Sequence, residues 1–283
     1  MAERPEVFRT VAPRTDVVQR PLSLWQRSYA SAALRKTVLL LALALIWEVY
    51  ARRLNNPLLF PAFSSTVSAL FESLRSGEIP RAAGYTLMLL MKGYAAGLVL
   101  AALLTALAAA TRLGADLLEI LTAMFNPLPS IALLPLALIW FGLGDGSVIF
   151  VLIHAVVWAV ALNTLSGFRA VSPTLRMVGH NYGLSPAGYI VRILIPGAFP
   201  SILTGLKVGW AFCWRTLIAA ELVFGVSSGS GGLGWFIFER KNQLLIPDVF
   251  AGLLTVILFG LIVENLIFHT IERYTVRRWG MQH

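Results

Sequence analysis

The sequence is poor in charge, in cysteine and in acidic residues. Only 13% of its 283 residues are Asp, Glu, Lys or Arg, where a soluble domain carries about 25%. A chain so short of charge cannot dress its surface for water, which excludes the ordinary soluble classes. The single cysteine, Cys213, lies in an apolar stretch, so a disulfide framework and a cysteine-based metal cluster are excluded. The four histidines (His154, His180, His269 and His283) are scattered, and no metal spacing, nucleophile elbow or paired-carboxylate site occurs. The stretch Ser227 to Gly234, SSGSGGLG, has the look of a phosphate-cradling loop but lacks a following Lys-Ser/Thr and a preceding buried strand. It reads as an outer gate or docking turn, and no catalytic residue, metal or cofactor of the chain's own is expected. The first thirty-odd residues are polar and Arg-rich with no apolar core segment, so a signal peptide is not expected either.

What is present is long apolar runs: 57% of residues are hydrophobic and the mean hydropathy is +0.74. The class that follows is an all-α integral membrane protein. Six spans are expected: Thr37 to Tyr50, Thr86 to Ala110, Leu117 to Trp140, Ser147 to Phe168, Ile202 to Phe224 and Val249 to Ile271. The second carries Gly93-x-x-x-Gly97, a spacing that lets helices approach closely. The third is interrupted by Asn126, Pro127, Pro129 and Pro135, so it must be kinked and shielded by protein or a water-filled cavity. Residues 1–36 form a basic cytoplasmic tail with an interfacial helix from Leu22 to Leu34, residues 37–272 the transmembrane domain, and residues 273–283 a second basic tail. Asn55 to Arg81 is a polar connection holding an amphipathic helix, Thr66 to Leu74, and Gly225 to Asp248 a Gly/Ser-rich one.

The net charge of +9 suits anionic headgroups and cytoplasmic loops, so no nucleic-acid partner is inferred; the lipid bilayer is the partner. With six spans and both termini in the cytoplasm, fourteen Lys and Arg fall inside, against six outside (Arg52, Arg53, Arg75, Arg81, Arg240 and Lys241). That orientation also places residues 171–198 in the cytoplasm. No acidic residue occurs between Arg169 and Lys207. Ser172-Pro173 is a helix-start signal, Gly183 suits a left-handed C-cap, and Ser185-Pro186 starts a second short helix. Two short helices about a fixed elbow make a rigid lever.

Gly183 followed after nine residues by Ile193-x-Ile195-Pro196 resembles the coupling loop of binding-protein-dependent ABC importer permeases, and the closest branch is the nitrate/sulfonate/taurine/bicarbonate (NitT/TauT-like) permeases. The resemblance extends through Pro127-Leu-Pro129, Leu134-Pro135-Leu136, Ile139 to Gly144, Ile202 to Leu206, Trp214 to Glu221 and Gly232-Leu233-Gly234. It implies a type I ABC importer permease fold (MetI-like). It also implies a second permease subunit, most simply a homodimer, a pair of cytoplasmic ATPase subunits that bind ATP and Mg²⁺, and a periplasmic substrate-binding protein. The location implied is the bacterial inner membrane, and the solute a small anion such as a sulfonate, taurine, nitrate or bicarbonate. Residues Arg176, Gly179, His180, Gly183, Leu184, Ser185 and Pro196 fall at the ATPase-coupling positions. One departure stands out: where the family usually carries Glu-Ala-Ala, this chain carries Met177-Val178-Gly179, so the acid that contacts the ATPase is missing.

Six ionisable residues fall within spans: Glu48, Lys92, Lys207, Arg215, Glu221 and Glu264. Glu48, Lys92 and Lys207 lie near span ends and suit snorkelling. Trp210, Trp214, Arg215 and Glu221 share the fifth span, which the resemblance sets beside the translocation path; Arg215 would pass or gate an anion. Two bland alternatives stand beside this: Arg215 paired with Glu264, and Glu221 capping backbone around the Gly-rich segment. A proton-coupled secondary transporter using Glu221 and Glu264 is the alternative function.

Overall fold

In the computed structural model the described residues are 31–224 and 231–277, and among them every regular element is helical. Most of the expected interfacial helix from Leu22 and the first half of SSGSGGLG, residues 227–230, lie outside the described residues. The chain divides into two units, 1–50 and 51–283. The described part of the first unit is helical from Ala32, in α1 (Ala32–Leu54).

The second unit is built around α6 (Asp145–Ala170), the most buried of the apolar helices. It packs along α3 (Glu78–Ala110) and α9 (Phe199–Phe224). Gly93 and Gly97 make the first contact possible: a Cβ at Gly93 would stand 2.5 Å from Leu152 Cβ, and one at Gly97 2.7 Å from Val156 Cβ. The small-residue stripe read from the sequence therefore faces α6, and the two backbones close to contact distance. Leu89, Leu90, Leu152, Val156, Leu217 and Leu233 fill the core between these helices.

The remaining elements are α2 (Phe63–Arg75), α4 (Arg112–Phe125), α5 (Leu134–Phe141), α7 (Pro173–Asn181), α8 (Pro186–Gly197), α10 (Leu233–Asn242) and α11 (Ile246–Val276). Helix α2 fills the connection where an amphipathic helix is expected. Helix α3 starts eight residues before the expected span, because Gly77 at φ +82° turns the chain and Pro80, in the first turn, offends no hydrogen bond. Helix α10 sits where the sequence suggests only a connection.

By length and composition α3, α6 and α11 can each cross a membrane. Two bent pairs could add one span each: α4 with the segment Ser130–Phe141, bent by 87°, and α8 with α9, bent by 77°. The first bend falls at Pro127 and Pro129, as the prolines demand. Helix α1 is not among these spans, a difference from the six expected. Arg35 and Lys36 bracket its apolar run on one side, and Glu48, Arg52 and Arg53 on the other.

Candidate functional site

The loop after α6 has the expected form. Ser172 accepts a hydrogen bond from the Leu175 amide (3.4 Å), and Pro173 occupies the first turn of α7. The helix ends in a left-handed turn: Gly183 has φ +59°, and the Leu184 amide reaches back to the Gly179 carbonyl (3.3 Å). Ser185 then accepts from the Gly188 amide (3.2 Å) and Pro186 opens α8. The loop rests on the membrane helices through Val171, Leu194 and Ala198, which bury against Phe168. Pro196 lies in the last turn of α8, which ends beside α9.

Two of the residues at the expected coupling positions turn inward. Arg176 folds back: its Nε donates to the Val171 carbonyl (3.1 Å) and its Nη2 to the Phe168 carbonyl (2.5 Å). It thus adds a charged donor to carbonyls at the end of α6, where the helix dipole favours a cation. Gly179 is buried, and a Cβ there would lie 2.7 Å from Tyr189 Cδ2 and 3.2 Å from Ile193 Cγ1. The Tyr189 ring fills the space that the family's alanine methyl would take. His180 stays exposed, its ring 6.0 Å from that of Tyr189. Beside the exposed polar residues Thr174, His180 and Asn181, α7 presents large apolar side chains outward: Leu175 is 44% exposed, Met177 58%, Val178 40%, and Tyr182 beyond its end 80%.

The residues assigned to a substrate path separate into two places. Trp210, Trp214 and Arg215 lie with Lys207 on one face of α9, at the three- and four-residue spacing of a helical stripe. They line a cavity of about 260 Å³ closed on the other side by Gly260, Glu264 and Phe268 of α11. Arg215 packs over the Phe212 ring, 5.7 Å from its centre, and no ion pair joins it to Glu264. Trp214 stacks on Phe259 (5.8 Å), and Trp210 meets Tyr94 edge-on (5.4 Å).

Glu221 faces elsewhere. Six residues turn an α-helix by about 600°, which sets it roughly 120° from Arg215. It is buried, 4% exposed, and its carboxylate accepts from the Thr86 hydroxyl (2.9 Å) and the Gly234 amide (2.9 Å). Thr86 in turn accepts from the Leu233 amide (2.8 Å). Together they take up the first free amides of α10, at the positive end of its dipole. Gly232 belongs to the same arrangement, because a Cβ there would collide with the Glu221 carboxylate and the Thr86 hydroxyl. Glu221 is absent from the cavity wall. Sequence reasoning missed Thr86, which stands 135 residues from Glu221 and carries no local signal.

Three further cations are paired within the fold. Lys207 binds Glu272 (2.5 Å), and Lys92 lies 3.6 Å from Asp145, which also accepts from the Tyr85 hydroxyl (2.7 Å). Arg240 pairs with Glu78 and lies over the Phe236 ring. Among the described residues no group of three or more His, Cys, Asp or Glu could hold a metal ion.

Several helices long and apolar enough to cross a membrane, packed around α6, define the class of a helical polytopic membrane protein. The chain belongs to the family described as binding-protein-dependent transport system inner membrane components, whose model matches residues 82–280. It is 29% identical over 241 residues to a putative ABC transporter permease protein of Methanocaldococcus jannaschii, covering 84% of this chain and 89% of that one. It is 32% identical over 148 residues to the taurine transport system permease protein of Escherichia coli, 52% of either chain. It is 31% identical over 175 residues to the nitrate import permease protein of Synechocystis, 62% of either chain. The family consists of transport subunits and not of enzymes.

Proposed function

We propose that the chain is the transmembrane subunit of an ATP-driven importer. It carries a small solute bearing an oxyanion from periplasm to cytoplasm by alternating access. The solute class follows the relatives' names, taurine and nitrate among them. Its partners are a second copy of the chain, a dimeric ATPase that binds ATP and Mg²⁺, and a periplasmic substrate-binding protein. It sits in the bacterial inner membrane with six spans, α1 among them, and both termini cytoplasmic. The excess of Lys and Arg on the inner side supports that orientation.

The observation that carries this reading is the lever at 171–198, two capped helices about Gly183, seated on α6 and α9 through a buried apolar base. A rigid element of this kind passes a partner's movement to the helices above it. The ATPase contact is made mainly by apolar side chains: Leu175, Met177, Val178 and Tyr182 stand out, with His180 exposed beside them, and the family's acid is replaced by Met177. Arg176 supports the contact from behind, through the end of α6.

The test is uptake into sealed vesicles holding the chain with its co-encoded ATPase and binding protein. Uptake that requires ATP and survives collapse of the proton gradient supports the proposal. Uptake that needs the gradient and ignores ATP overturns it in favour of proton coupling, for which Glu221, held in its cap, is badly placed.

A further inference from the structure

The groove between α9 and α11 holds a charge pattern that a carrier of bare anions does not need. The 260 Å³ cavity opens into a shallower groove of about 530 Å³, and the two share Trp214, Arg215, Gly260 and Glu264. Lys207 connects it to a third hollow, of about 140 Å³, where Glu272 lies. Two cations and two acids therefore line this run of hollows. One of each is committed: Lys207 and Glu272 hold each other at 2.5 Å. Among the described residues no ion pair engages Arg215 or Glu264, and both are exposed along the groove. Charges left open on apolar helices mark a solute path or a water-filled cavity, because acyl chains cannot solvate them. Glu264 also lies in the first turn of a widened, π-helical segment, Val263–Phe268, and it and Phe268 line the same wall.

We infer that Arg215 and Glu264 form a dipolar subsite for a zwitterionic solute, one that carries an ammonium group besides its oxyanion. This rests on the importer reading above and narrows it. The Arg215 guanidinium takes the sulfonate or carboxylate in the paired geometry that planar donors favour. Glu264 takes the ammonium, and Trp210 and Trp214 hold the short carbon chain between them. A simple anion in the same place gains Arg215 but meets Glu264 as a like charge in a poorly screened groove. The subsite thus discriminates against inorganic oxyanions.

The test compares 2-aminoethanesulfonate with propanesulfonate, which differ only by ammonium against methyl, and with nitrate. Affinities are measured by ligand-detected NMR on the full chain in nanodiscs, alone and with its ATPase. The aminosulfonate should bind about tenfold more tightly than propanesulfonate, since a site built around a polar group rejects the analogue lacking it. Glu264→Gln should erase that preference, and Arg215→Gln should weaken both sulfonates. Three results overturn the inference: propanesulfonate or nitrate binding as well as the aminosulfonate, no binding of any probe, or a preference that Glu264→Gln leaves intact. Co-purification of the ATPase with the wild-type chain is scored in the same preparations. An ATPase retained without the binding preference sinks the dipolar subsite alone, whereas loss of the ATPase sinks the importer reading.

Discussion

Arg176 and Glu221 each close a helix end, with opposite charge and in unlike surroundings. Arg176, half-buried at the foot of α6, donates to carbonyls at the negative end of a helix dipole. Glu221, buried among α3, α9 and α10, accepts at the positive end of another. From residue type alone, one suggested contact with a partner and the other a charge on a substrate path. What separates them from Arg215 is geometry: Arg176 and Glu221 reach backbone groups at a helix end, whereas Arg215 packs over the Phe212 ring. The depth of burial then sets how much each matters. Breaking Glu221 strands an amide and a hydroxyl away from water, whereas the carbonyls that Arg176 serves lie near enough to solvent to be rehydrated.

The comparison is broken most severely at Glu221. Glu221→Ala leaves the Gly234 amide and the Thr86 hydroxyl without their acceptor, and about 3 kcal/mol of stability should be lost. Thermal unfolding in detergent checks this; a Tm unchanged from wild type would mean the cap contributes nothing. Next comes Gly179→Ala, which restores the family's residue but drives a methyl into the Tyr189 ring and should cost about 2 kcal/mol. Combined with Tyr189→Leu it should cost less than alone, a coupling that a double-mutant cycle reads directly.

Arg176→Ala should cost about 1 kcal/mol, and Arg176→Lys should recover part of it, since the charge returns without the second donor arm. Equal losses in the two variants would show that charge at the end of α6 is irrelevant. The smallest effect is expected at Lys92→Gln. Its partner Asp145 keeps the Tyr85 hydroxyl and Lys92 is half exposed, so the change should stay within about 0.5 kcal/mol by the same unfolding measurement.

Much of the loop was legible because its signals are local. Ser-Pro before each short helix and glycine at the elbow specify backbone states within a few residues, and the structure adopts them at Ser172, Gly183 and Ser185. The kink at Pro127 and Pro129 and the Gly93/Gly97 contact are of the same kind. The cap was legible only as an alternative, since it needs Glu221, Thr86 and the amides of Leu233 and Gly234 brought together across three helices. Helix α10 was missed because its short run sits among turn-forming residues and is helical through burial of Phe236 and Ile237 on the core. The inward turn of Arg176 had no sequence signal, because a long flexible side chain chooses its partner from the tertiary surroundings.

Docking of an ATPase on the lever at 171–198 can be read out by co-purification from membranes of the wild-type chain and Gly183→Pro. Proline fixes φ near −65°, which the elbow at +59° cannot accept, while the helices of the core do not depend on that residue. Wild type should bring down a stoichiometric ATPase, and the variant, extracted in equal amount, almost none. Equal recovery of ATPase with both chains, or none with the wild type, would contradict that docking.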